Sequence, residues 1–154
     1  MKGSTRIALA GVDAQHQMYG LLFSLSNRMQ AIGDQAFEDI TMKQHFLMVV
    51  LHMLGGEAPT LTETAQLVGC SYQNVKRMAD QLQRRGYLLI QPDAQDRRKQ
   101  RLVATDKFEQ LGARTQAQGE AFMRQLFQGI SEMQLQNAVE TLTKMDHNLG
   151  GTYE

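Results

Sequence analysis

Between Ala65 and Val75 the sequence reads Ala-x-x-x-Gly-x-x-x-x-x-Val, and this spacing constrains the fold more than any other stretch. A small residue, a glycine and an aliphatic residue at those intervals fit two short helices that cross closely. Ala65 leaves room at the crossing. Gly69 permits the left-handed backbone of a tight turn. Val75 and Met78 then plug the second helix into a core. The first helix opens after Leu61 with Thr62 as its N-cap, and the second runs from Ser71, another capping hydroxyl, to about Arg85. Gly86 stops it in the C′ role. Tyr87-Leu88-Leu89-Ile90 has strand composition, 92–96 is turn chemistry, and Arg101-Leu102-Val103-Ala104 can return as the second strand of a hairpin.

The same stretch is where the charge gathers. From Ser71 to Arg101 eight bases face three acids, a net +5. The whole chain has 16 of each sign, so the remainder carries −5. A local basic module on a neutral body is the electrostatic footprint of a nucleic-acid reader. The outward face of the second helix carries Tyr72, Gln73, Asn74, Lys76, Arg77 and Gln81. Amides suit base edges, and lysine and arginine suit phosphates and guanine. Tyr72, Gln73 and Asn74 are expected at bases or sugars, and Ser71, Lys76 and Arg77 mainly at phosphates, because residues near the helix N-terminus usually reach the groove floor. The bland alternative is a buried helical hairpin with a solvated charged face. The hairpin tip separates the two, since a turn with Arg97, Arg98 and Lys99, followed by Arg101, beside a reading helix is a wing. Arginines there can lie over a minor groove, where negative potential is focused. Asp96 is expected to hold the Arg98 fork in shape rather than touch DNA.

The rest of the chain reads as helix. Proline occurs only at Pro59 and Pro92, tryptophan is absent, and strong helix formers dominate. One helix is expected from about Gly11 to Ile32, ended by Gly33-Asp34, and a second from Thr41 to Leu54 with an apolar surface wide enough for burial on more than one side. Thr105-Asp106 caps a long helix to about Gln128. Gly129 interrupts it, and a Ser131-x-x-Gln134 capping box starts the last one. Residues 150–154 read as a frayed tail. The first twenty residues lack the apolar core of a signal peptide, no run approaches the roughly 18 apolar residues of a membrane span, and the single cysteine, Cys70, rules out an intrachain disulfide. Together these place the protein in the cytoplasm.

In this order of elements the chain resembles the MarR family of winged helix-turn-helix transcription regulators. The resemblance rests on the 41–54 helix with Gln44 and Leu51, on LTETAQLVGCSYQNVKRMADQLQRRGYL and on DAQDRRKQRLVAT, whose Asp-x-Arg wing motif falls on Asp96 and Arg98. It covers about residues 11–149. It implies a mainly α fold with a two-stranded β-wing: a winged helix-turn-helix DNA-binding domain over 37–105, and a helical dimerisation lobe formed by 1–36 and 106–154. It also implies a homodimer on a pseudo-palindrome of double-stranded DNA. Apolar residues beyond the needs of a lone two-helix lobe agree with that: Met18, Leu22, Leu25, Phe122, Leu126, Phe127, Ile130, Leu142 and Met145. One departure is clear. Where relatives carry a glycine after the wing, in Leu-Thr-x-x-Gly, this chain has Phe108.

Many relatives bind small aromatic or phenolic effectors where the two lobes meet. The corresponding candidates are His16, Tyr19, Phe23, Phe37, His45 and Met48, each with plain core packing as its alternative. The expected function is thus a homodimeric repressor released from its operator by an effector. Rival readings are a winged-helix protein-interaction module without an operator, and a redox-responsive regulator acting through Cys70, a thiol just before a helix N-terminus. No metal site or cofactor is expected, because His45 and His52 lie seven apart without the dense ligand spacing that zinc needs. No catalytic constellation is present: there is no nucleophile elbow, phosphate loop or H-E-x-x-H helix.

Overall fold

The computed structural model describes residues 11–151 and Tyr153. The reading of the extreme N-terminus, and the parts of the dimerisation lobe and tail that fall on 1–10, 152 and 154, lie outside those residues. Among the described residues the order is α1 (Ala14–Ala36), α2 (Met42–Leu54), α3 (Leu61–Val68), α4 (Tyr72–Arg84), β1 (Leu88–Pro92), β2 (Gln100–Ala104), α5 (Asp106–Leu126) and α6 (Glu132–Asn148). This is a mainly α winged-helix fold, with one antiparallel hairpin between α4 and α5. No helix among the described residues is long and apolar enough to cross a membrane.

Three helices open on reciprocal capping boxes. Thr41 pairs with Gln44, Thr60 with Glu63 and Ser131 with Gln134. The α3 cap is therefore Thr60, not Thr62. The Glu63 amide donates to the Thr60 hydroxyl at 3.2 Å, while the Glu63 carboxylate accepts the Thr60 amide at 2.7 Å. A cap at Thr62 would put Ala65 at N3, and alanine cannot reach back. The α1 helix also runs past the expected stop. Gly33 is helical and buried, and it lets Met42 approach: a Cβ added there would lie 2.8 Å from the Met42 Cβ. Its lack of a side chain serves packing, not termination.

Helix ends at the winged core share one device. Gly69 (φ +69°) and Gly86 (φ +79°) both adopt the left-handed conformation. At the first, the Cys70 amide donates to Ala65 and that of Gly69 to Gln66. At the second, the Tyr87 amide donates to Leu82 and that of Gly86 to Gln83. This Schellman arrangement satisfies the last carbonyls and folds the chain back sharply. Because of it α4 crosses α3 at once, and β1 leaves α4 already pointed at the sheet.

The core sits among α2, α3, α4, the hairpin and the first turns of α5. Leu47, Leu61, Val75, Ala79, Leu82, Leu88, Leu102 and Leu111 are fully or almost fully buried there. Each such leucine contributes on the order of 1.5–3 kcal/mol by burial. Phe108 is buried in the same core, so the residue that departs from the Leu-Thr-x-x-Gly pattern anchors α5 to the wing. Thr105 assists it by donating to the carbonyls of Gly86 (2.7 Å) and Tyr87 (3.0 Å) while capping Phe108.

Outside that core the single chain covers little. Only Gly33 is buried in α1, and no residue is buried in α6. Tyr19, Leu21, Phe23, Leu25, Met123, Met133, Val139 and Leu142 are all exposed. The second side of α2 is open too, with Phe46, Val49 and Met53 exposed. Within the tail, Tyr153 is tied back to the body of the chain. The Tyr153 hydroxyl donates to the Leu67 carbonyl of α3, and its amide donates to Asp146 at 3.3 Å.

Candidate nucleic-acid interface

The reading helix α4 separates cleanly into two faces. Val75, Met78, Ala79 and Leu82 are buried, while Ser71, Tyr72, Gln73, Asn74, Arg77 and Gln81 are exposed. Ser71 caps the helix by accepting the Asn74 amide at 3.3 Å, which leaves its hydroxyl proton free to donate outward. Arg77 lies 3.4 Å from the Asn74 amide oxygen. Lys76 differs from its neighbours: it is half-buried and pairs with Asp80 at 2.5 Å. On the inner side Gln44 donates to Gln81 at 2.9 Å, tying α2 to α4.

The wing is built by two aspartates. In the hairpin Leu88 faces Ala104, Ile90 faces Leu102 and Gln91 faces Arg101. Asp93, at the start of the turn, is buried. Its Oδ1 accepts the amides of Gln95 and Asp96, both at 2.8 Å. Its Oδ2 accepts the Arg101 Nε. Those two backbone bonds and the guanidinium hold its carboxyl at about 2, well below the usual carboxylate range. Asp96 sits nearer the tip. It accepts the Arg98 backbone amide and Nε, both at 3.1 Å. That guanidinium holds the Asp96 carboxyl low, yet the Arg98 side chain stays 91% exposed. The fork is shaped and presented at the same time. Arg97 and Lys99 are exposed on the same turn and have no ion pair among the described residues.

Arg101 sits differently from the other wing bases. Its guanidinium turns inward, donating to Asp93 and to the Ala58 carbonyl, and it lies 3.3 Å from Glu57. Beside it, Leu102 donates to the Pro59 carbonyl at 2.9 Å. The wing is thereby fastened to the loop ahead of α3. Asp93 and Glu57 are the site residues that sequence reasoning missed. A turn aspartate ahead of a basic run was the available signal for Asp93, but its partner eight residues away is visible only once the hairpin register is known.

The six effector candidates do not converge. Phe37 stacks on His45 with ring centroids 4.4 Å apart, and Met48 is buried in the same core. Burial pushes the His45 imidazole pKa down, favouring its neutral form. Tyr19 and Phe23 form a separate, exposed pair on α1, 5.0 Å apart. His16 is exposed on the first turn, 2.6 Å from Asp13. At Cys70 burial pushes the thiol up, more than nearby Lys43 pulls it down, which runs against ready thiolate chemistry. Among the described residues no three His, Cys, Asp or Glu side chains are grouped to hold a metal ion.

No protein-family model matches the sequence. Solved structures resemble the chain closely in shape. A MarR-family regulator from Streptomyces coelicolor, Sco3205, in complex with DNA, aligns with a TM-score of 0.78 at 16% identity, covering 95% of this chain and 92% of that one. The S. aureus MepR–DNA complex aligns at 0.74 and 23% identity, covering 84% and 96%. CouR from Rhodococcus jostii RHA1, bound to p-coumaroyl-CoA, aligns at 0.74 and 19% identity, covering 88% and 95%. The chain has the fold of the MarR-family transcription regulators.

Proposed function

We propose that the protein is a sequence-specific, double-stranded-DNA-binding transcription regulator of the MarR type and not an enzyme. It acts as a homodimer, and a small aromatic or phenolic effector releases it from a pseudo-palindromic operator that it represses. The single observation that carries this reading is the exposed cationic wing tip, Arg97, Arg98 and Lys99, beside the exposed polar face of α4. Residues 37–105 form the reading unit. Residues 1–36 and 106–154 form the pairing lobe, whose uncovered apolar side chains supply its interface.

In this account Tyr72, Gln73 and Asn74 face bases or sugars in the major groove, and Ser71 and Arg77 face phosphates. Lys76 reaches a phosphate only by exchanging its pair with Asp80. Arg97, Arg98 and Lys99 lie along the neighbouring minor groove, with Asp96 aiming Arg98. Arg101 serves the interface by holding the wing in place. Two copies put two reading helices into major-groove segments about one turn, roughly 10 bp, apart. The effector must favour a head spacing that no longer fits DNA, which requires unequal affinity for the two states.

The test is an anisotropy titration of the full chain on genomic fragments across a salt series. If six phosphates are neutralised, the logarithmic salt slope should be about −5. Arg98→Ala should weaken binding by about tenfold or more and make the slope shallower by about one. An unchanged affinity and slope in that variant would sink the wing assignment. Salt-independent binding, or none, would favour an interaction module instead.

A further inference from the structure

Beyond α6 the chain turns back to the reading unit. The amides of Leu149 and Gly150 donate to Asp146 and His147, each at 3.0 Å, and Gly150 bends the backbone at φ +78°. The Gly151 amide donates to the Asp146 carbonyl at 2.8 Å. Gly151 also leaves room for the Asp146 carboxylate, since a Cβ there would lie 1.9 Å from Asp146 Oδ2. That carboxylate accepts the Tyr153 amide at 3.3 Å, and the His147 ring donates to the Tyr153 carbonyl. So held, Tyr153 donates its hydroxyl to the Leu67 carbonyl.

Leu67 lies in the last turn of α3, where carbonyls have no amide partner within the helix. The Gly69 and Cys70 amides go to Gln66 and Ala65, and among the described residues no backbone amide reaches Leu67. The Tyr153 hydroxyl supplies the missing donor. Burial, and then the nearby Asp146 charge, push its pKa up, so it stays protonated at neutral pH. Two residues past Leu67, Gly69 makes the left-handed turn that aims α4. Among the described residues this is the one hydrogen bond from α6 and its tail to the reading unit. We propose that Tyr153 is a positioning residue that ties the α3–α4 turn to α6 and so sets the angle at which α4 is presented. The consequence for DNA rests on the reading role proposed above; the tie does not.

Two variants of the full chain test it. Tyr153→Phe removes the donor and keeps the ring. Gly151→Ala keeps Tyr153 but displaces the Asp146 carboxylate that holds it. In carbonyl-resolved NMR without DNA, the Leu67 carbonyl should move upfield in both variants as its donor is lost. For position, Cys70, the only thiol of the chain, is spin-labelled together with Gln136→Cys on α6, in chains diluted with unlabelled protein. The distance between the labels should be narrowly distributed in the parent and broader in each variant. On DNA, Tyr153→Phe should weaken binding to the selected operator by about fivefold. It should shrink, by a similar factor, the penalty for one base pair inserted between the half-sites. A merely stabilising contact would lower affinity for both operators equally. An unmoved Leu67 carbonyl or an unbroadened distance would overturn the tie. A moved carbonyl with an unchanged spacing penalty, or tighter binding by Tyr153→Phe, would overturn its part in reading. A chain that binds no DNA would defeat the proposed regulator, and the tie would still stand or fall on the carbonyl and the distance.

Discussion

The winged unit and the terminal helices both carry apolar stripes at helical spacing, and the fold treats them oppositely. α4 closes its apolar stripe completely: Val75, Ala79 and Leu82 are buried within one chain. α6 carries an apolar stripe of its own and buries none of it. α5 shows both behaviours along its length, with Phe108, Leu111 and Thr115 buried and nothing beyond Thr115. Periodicity therefore says that a helix has a partner face, not where that partner lies. In the winged unit the partner is a neighbouring element. For the terminal helices we propose that it is a second copy of the chain.

The sharpest contrast is in stability. Leu82→Ala should cost about 2–5 kcal/mol in urea unfolding, because it opens a cavity in a closed core. Leu149→Ala, at a side chain 90% exposed in the single chain, should change stability by less than about 0.5 kcal/mol when unfolding is followed on dissociated protein. Similar costs at both positions would erase the distinction. A smaller effect is expected in assembly. Leu142→Glu should shift the protein toward monomer in sedimentation velocity, and should weaken operator binding by on the order of 100-fold as the linkage between two heads is lost. Its winged unit should keep its hydrogen-exchange protection. Loss of that protection would mean that the two regions are one cooperative body.

The smallest effect is the pH response of the wing. The Asp93 carboxyl is held at about 2 in the folded chain, below its unfolded value of about 3.9. A depressed folded pKa contributes stability that is complete above the unfolded value and lost as pH falls towards the folded one. The Gln95 and Asp96 amides should therefore exchange faster as pH drops from about 4 towards about 2, after correction for intrinsic rates. Asp93→Asn should remove that dependence. An identical response in α6 would show general acid unfolding instead of a local release.

Much of the winged unit was legible because its determinants are local. Ala65, Gly69 and Val75 fix the helix crossing through spacing alone, and Asp96 and Arg98 are two residues apart on one turn. Errors arose where a residue had two local uses. Thr62 and Thr60 are both capping hydroxyls, and only the reciprocal reach of Glu63 decides between them. Gly33 looks like a stop but allows the close approach of Met42. Nonlocal chemistry was not legible. Arg101 reads as one more wing cation until the hairpin register and the loop before α3 bring Asp93, Ala58 and Glu57 to it. Within the single chain α1 carries His16, Tyr19 and Phe23 away from Phe37 and Met48 in the core and from His45, which stacks on Phe37.

How the protein lies along DNA depends most directly on the pairing of its two reading units. Hydroxyl-radical footprinting of a selected genomic fragment should give two protected windows about one helical turn, roughly 10 bp, apart. In Leu142→Glu both windows should fade together. A single window, or two that fade independently of each other in that variant, would contradict a reading unit that depends on its terminal helices for a partner.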